Sequence, residues 1–81
     1  MTTGSLQRAI NAAPFRPFTI VMADGHEIPV RHPELIAHAP GARVAIVMLS
    51  DSQIEWIDLL LAPRLVFDEH AQPTGSQGAR P

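Results

Sequence analysis

The chain has no cysteine, no lysine and no tyrosine, and its aromatics are three phenylalanines and one tryptophan in 81 residues. Without cysteine, neither a disulfide nor a thiolate metal site can supplement the core. Without lysine, the six cations are all arginines, at Arg8, Arg16, Arg31, Arg43, Arg64 and Arg80. They are scattered and outnumbered by eight acids, for a net charge of −2. A nucleic-acid binder usually gathers a basic excess on one face, so this balance argues against one. Long hydrophobic runs are also missing. The longest, Ile57 to Val66, is broken by Asp58, Pro63 and Arg64, far short of a bilayer span. No basic segment followed by an apolar stretch marks a secretory leader. The expected location is the cytoplasm, with no membrane contact.

What is present reads as a train of short strands. Phe18-Thr-Ile-Val-Met-Ala runs into Asp24-Gly25, and His26-Glu-Ile-Pro-Val30 runs out. Asp-Gly between two apolar runs is a strong hairpin signal. Pro29 inside the second run cannot donate to a ladder, so it marks an edge or a bulge. His32-Pro33 breaks the sheet, and Pro33 is suited to open a single helical turn. Pro40-Gly41 is a turn dipeptide. Arg43 to Leu49 is apolar on both faces, which suits a central strand or an intersubunit surface. Ser50-Asp51-Ser52 turns into Gln53 to Asp58, which carries Ile54 and Trp56 on one side and Glu55 and Ile57 on the other. Leu59-Leu60-Leu61 before Pro63 fits one helical or 3₁₀ turn, and Arg64 to Phe67 makes the last strand. Ahead of them all, Ser5 is an expected N-cap for a short helix from Leu6 to Ala12 or Ala13.

The expected organisation is a flexible start over 1–4, one domain over 5–69 and a disordered tail over 70–81. The tail is rich in Gly, Pro, Gln and Ser and has no large apolar residue, so it cannot bury enough surface to order itself. The expected fold is mainly β: a small SH3-like or Sm-like barrel of five strands with a short N-terminal helix. A domain of this size is marginal alone, and oligomerisation is a natural remedy.

Pro14-Phe15-Arg16-Pro17-Phe18, then Ala23-Asp24-Gly25, then Val30-Arg31-His32-Pro33-Glu34-Leu35-Ile36-Ala37, and finally Ile57-Asp58-Leu59-Leu60-Leu61 together resemble a family of small bacterial proteins of unassigned function. These share a Pro-Phe-x-Pro-Phe, Ala-Asp-Gly, Val-x-His-Pro-Glu signature. The resemblance spans about Ala13 to Phe67. It implies no activity, no cofactor and no catalytic residue.

Four constellations carry whatever chemistry the chain has. His32 and Glu34, with His26 and His38 as recruits, are metal or acid–base types, but Pro33 and Glu34 also suit the first turn of a helix. Asp24, Glu27, Asp51, Glu55 and Asp58 are carboxylates without an evident cleft between them. No nucleophile elbow, phosphate loop or supported triad is present. Neither catalysis nor a bound metal or cofactor is therefore expected. Phe15, Phe18, Trp56 and Phe67 with Arg16, Arg31 and Arg64 form the alternative reading, an Sm-like binder of RNA or single strands. The favoured reading is an apolar surplus. Trp56, Val47, Leu49, Ile57 and the Leu59-Leu60-Leu61 run exceed what one face of a five-stranded sheet covers, and Trp56, Val47, Leu49, Ile57 and Arg64 are the expected interface of a protein-interaction or homo-oligomeric module.

Overall fold

The computed structural model describes residues 1–68, so the tail expected over 70–81 lies outside the described residues. Helix α1 (Thr3–Asn11) is followed by strands β1 (Phe18–Val21) and β2 (Glu27–Val30), a 3₁₀ turn at Pro33–Leu35, and β3 (Ile36–Ala37). Then come β4 (Val44–Ser50), β5 (Gln53–Asp58), a second 3₁₀ turn at Leu59–Leu61, and β6 (Arg64–Phe67). The strands form two antiparallel three-stranded sheets, ordered β2-β1-β6 and β3-β4-β5. The fold is mainly β with one short helix, as the sequence predicts, but it has six strands in two sheets rather than five in one. The cause is His32-Pro33. It cuts one potential long strand into β2 and the two-residue β3, and the halves pair in different sheets.

The helix begins earlier than Ser5 predicts. Thr2 is the N-cap, and its Oγ1 accepts from the Ser5 N–H at 3.1 Å. The first four residues thus include the cap and the first helical positions rather than a loose lead. Leu6 and Ala9 are the buried face of α1. The helix is tied down by Gln7, whose Nε2 donates to the His38 carbonyl and to His38 Nδ1, both at 2.8 Å. That leaves His38 Nε2–H to donate to the Ala42 carbonyl at 2.7 Å. Both ring nitrogens of a neutral imidazole are therefore used, one accepting and one donating.

Asp24-Gly25 does close the β1–β2 hairpin. Ala23, Asp24 and Gly25 form a three-residue loop, with the Gly25 N–H donating to the Met22 carbonyl. Gly25 takes φ 92°, the left-handed position such a loop reserves for glycine. Asp24 Oδ1 accepts from the His26 N–H at 2.9 Å. Pro40-Gly41 makes a turn closed by Ala42 N–H to Ala39 O, with φ 82° at Gly41.

The pattern of backbone bonds decides which edges are open. In an antiparallel ladder, alternate pairs exchange their N–H···O bonds. Met22 N–H to His26 O lies on the β1–β2 register, so Phe18 and Ile20 turn their backbone groups to β2. Asp68 N–H to Pro17 O lies on the β1–β6 register, so Thr19 and Val21 turn theirs to β6. Pro29 is opposite Thr19, and its missing N–H therefore faces the outer edge of β2, where no ladder needs it. By the same parity, Leu65 and Phe67 direct their N–H and C=O groups to the outer edge of β6.

Between the sheets lies the core: Phe15, Phe18, Ile20, Ile28, Val30, Ile36, Ala45, Val47, Ile57, Leu59 and Ala62, joined by Leu6 and Ala9. Phe15 and Phe18 pack at 5.8 Å between centroids, and Phe18 meets Phe67 edge-on at 6.1 Å. No helix among the described residues is long and apolar enough to cross a membrane.

Candidate functional site

Strand alternation puts Ala45 and Val47 of β4, and Ile57 of β5, into the core. It puts Val44, Ile46 and Met48 on the opposite face. The β4–β5 register sets Ile46 beside Trp56 and Met48 beside Ile54, so this outer face is a continuous apolar surface. Trp56 is 68% exposed, Ile54 54% and Met48 46%. A shallow depression of about 110 Å³ indents the same surface beside β3. It is lined by Glu34, Leu35, Ile36, Ala37, Ile46, Met48 and Ile54. Contiguous apolar surface of this kind marks an interaction site more often than chance would.

One ion pair borders the face. Arg43 Nε donates to Asp58 Oδ1 at 2.9 Å and Arg43 Nη2 to Oδ2 at 2.7 Å. Asp58 Oδ1 also accepts from the Leu60 N–H at 3.0 Å, capping the second 3₁₀ turn. The guanidinium hydrogen bonds first, then the Leu60 N–H, hold the Asp58 carboxyl below its ordinary value. The hydrogen bonds to Asp58, and its charge, raise the Arg43 guanidinium above its ordinary value. Each charge thus already has its partner. Leu59 N–H to Arg43 O at 2.8 Å lies on the β4–β5 register. The odd-numbered residues of β5 therefore bond β4, and Ile54 and Trp56 turn their backbone groups to the free edge.

The five predicted interface residues do not form one surface. Val47 and Ile57 are fully buried, and this corrects their assignment: they share the inward parity, opposite to Trp56. Trp56 is on the outer face. Leu49 is 36% exposed at the hairpin end, where the register shifts between Met48 and Ser50. Arg64 is exposed on β6, in the other sheet. The residues that join Trp56 are Val44, Ile46, Met48 and Ile54. The signal for them was partial: Ile54 and Trp56 share parity, but a two-residue turn at Asp51-Ser52 by itself sets position 56 opposite 47, and the bulge between Met48 and Ser50 moves its partner to Ile46.

The remaining candidates are dispersed. His32 caps the first 3₁₀ turn by backbone alone, with no side-chain cap bond, and Glu34 occupies that turn. His38 is spent on Gln7 and Ala42. Asp24, His26 and Glu55 border one open depression of about 280 Å³ with Met22 and Leu61. Among the described residues, no three His, Cys, Asp or Glu side chains stand close enough to hold a metal ion. Of the aromatics, Phe15 and Phe18 are in the core, Trp56 is on the second sheet, and Phe67 lies under the Arg16 guanidinium at 5.1 Å. No protein-family model, curated protein or solved structure matches this chain.

Proposed function

We propose that this protein is a non-enzymatic assembly module of the cytoplasm that associates with a second copy of itself through the outer face of β4 and β5. The observation that carries this reading is the exposure of Trp56 on a face whose neighbours are Ile46, Met48 and Ile54. A buried tryptophan supplies a large share of many interfaces. The bordering charges favour a like partner, because Arg43 and Asp58 neutralise one another and two copies meet there without stranding a charge. Trp56 stands proud of the sheet while the depression beside β3 recedes, so one face offers both a projection and a recess. A two-fold arrangement uses each twice.

The finer fold reading is a small SH3-like barrel, the two sheets being halves of one strongly bent surface. Its support is the direct passage from β2 through Pro33–Leu35 into β3 and the Ala23 N–H to Leu61 O bond at 2.7 Å, which ties the β1–β2 hairpin to the turn before β6.

Light scattering at micromolar concentration tests the assembly. The expected mass exceeds the 8.8 kDa of one chain, and Trp56→Ala lowers it. A monomer whose mass does not respond to that substitution overturns self-association.

A further inference from the structure

The outer edge of β6 combines three features that the assembly face does not use. First, Leu65 and Phe67 direct N–H and C=O groups outward from the edge, and among the described residues β6 pairs only with β1. Second, a groove of about 400 Å³ runs beside that edge, between β6 and α1. Its walls are Met1, Ser5, Arg8 and Ala9 on the helix side and Pro63, Leu65 and Phe67 on the strand side, and the Met1 ammonium is engaged by the Ala62 carbonyl at 2.7 Å. Third, the Arg8 guanidinium opens onto this groove, exposed, with no hydrogen bond or ion pair to any described residue, and among the described residues no carboxylate lines the groove.

We infer that this edge and groove form a docking site for an extended segment of another protein, one that carries an acidic side chain. The segment adds as a strand to β6, its backbone bonding Leu65 and Phe67, as extended peptides do on open sheet edges. Apolar side chains on one face of the segment rest on Leu65 and Phe67, and its carboxylate reaches Arg8, whose fork suits a carboxylate geometrically.

Other occupants fit less well. Residues 69–81, which follow β6, have no large apolar side chain to set on Leu65 and Phe67. In a second copy, the edge of β2 is blocked by Pro29. The strand β5 of a second copy has an open edge, but its Glu55 is turned into the depression with Met22 and Leu61 rather than toward a neighbour. The proposal therefore stands apart from self-association through the second sheet, and either can fail without the other.

The test titrates ¹⁵N-labelled full-length protein with a capped hexapeptide of alternating valine and threonine carrying one central glutamate, and with its lysine counterpart. The expected result is that the glutamate peptide shifts the amides of Leu65 and Phe67 and slows their hydrogen exchange, while Ile54 and Trp56 are unmoved. The lysine peptide is expected to bind about tenfold more weakly, the scale of one charge-assisted hydrogen bond. Arg8→Glu reverses that preference, which a merely structural role for Arg8 does not produce. Equal binding of the two peptides overturns the proposal. So do shifts confined to Ile54 and Trp56, or no shift at millimolar peptide. Slow exchange of Leu65 and Phe67 in the free protein also overturns it, because the edge is then already covered, as by β5 of a second copy.

Discussion

The two sheets have the same number of strands and opposite outer surfaces. On the first, the outward positions are Thr19 and Val21 of β1, Glu27 and Pro29 of β2, and Arg64 and Val66 of β6. Polar and apolar groups are interspersed, and proline guards one edge. On the second, the outward positions Val44, Ile46, Met48, Ile54 and Trp56 are all apolar, and the charges stand at the margin, paired. Both sheets turn an apolar inner face to the core, that of the second interrupted by the half-buried Glu55 opposite Val47, so folding alone does not require the difference. A sheet that needs only to fold can face water with one polar side. The second sheet keeps both sides apolar, and the residues of its outer side contribute little to the core they sit behind. That separation of burial from hydrophobicity points to contact with another molecule.

The strongest way to break the comparison sets two neighbours on β5 against each other. Ile57 is fully buried and Trp56 largely exposed. Ile57→Ala removes buried methyl and methylene groups and leaves a cavity, for an expected loss of about 2–5 kcal/mol. In a domain this small the loss is a large part of the total stability. Trp56→Ala, measured under conditions where the protein is a monomer, is expected to change stability by no more than about 0.5 kcal/mol, while lowering the solution mass. Urea denaturation of both variants, with light scattering alongside, checks the pair. If Trp56→Ala destabilises the monomer as much as Ile57→Ala does, the outer face is part of the fold and the contrast disappears.

A second test moves the same charge between the two surfaces. Ile54 and Val66 are both exposed, β-forming and outward-facing. Ile54→Lys places an unpaired cation in the middle of the apolar face, where burial against a partner leaves it unsatisfied. The expected effect is a loss of association of tenfold or more, on the order of 2 kcal/mol. Val66→Lys joins a surface that already holds Glu27 and Arg64, and is expected to leave the solution mass unchanged. Sedimentation of the two variants at matched concentration decides it. Equal dissociation by both would show that net charge, rather than the face, governs assembly.

Much of this contrast is visible in the chain before folding, and what escapes notice does so for one reason. The boundaries of β5 and β6, the Pro33 turn, the Leu59–Leu61 turn and the edge role of Pro29 follow from local chemistry: prolines that cannot donate, turn formers, and apolar runs of strand length. The division of Arg43 to Leu49 between two faces does not. Every residue from Val44 to Leu49 is apolar, so alternation leaves no mark within β4 itself. The pairing partner does not settle it either: Glu55 and Asp58 fall on opposite faces of β5, and the bulge between Met48 and Ser50 moves the partner of Trp56 from Val47 to Ile46. Val47 and Ile57 therefore read as surplus although they are core, and Val44, Ile46 and Met48 are left without a face although they point out. The start of α1 is missed for a similar reason: Thr2 and Ser5 are both good caps, and the choice between them depends on where Leu6 and Ala9 must land.

The smallest expected effect concerns the margin of the apolar face. Arg43 and the Leu60 N–H hold the Asp58 carboxyl below its ordinary value near 3.8. A carboxylate whose pKa is lower in the folded than in the unfolded chain stabilises the fold in its charged form. Its contribution is complete above the unfolded value. It declines as pH falls through 3.8 toward the lower folded value, and is gone below it. The pair is exposed to solvent, so screening keeps that contribution small. Asp58→Asn is therefore expected to leave the acid limb of the stability profile shallower between about pH 5 and the folded pKa of the wild type, with little change near neutrality. Raising the salt concentration should bring the wild-type profile toward that of the variant. The face adds a second reading to the same titration. Protonating Asp58 leaves Arg43 as an unmatched cation beside Trp56 and Val44, so self-association should weaken over the acid window in which the stability falls. In Asp58→Asn the arginine is already unmatched, and its association should be weaker at neutral pH and flat across that range. An association profile that falls with acid equally in both proteins would mean that the Arg43–Asp58 pair does not border the contact.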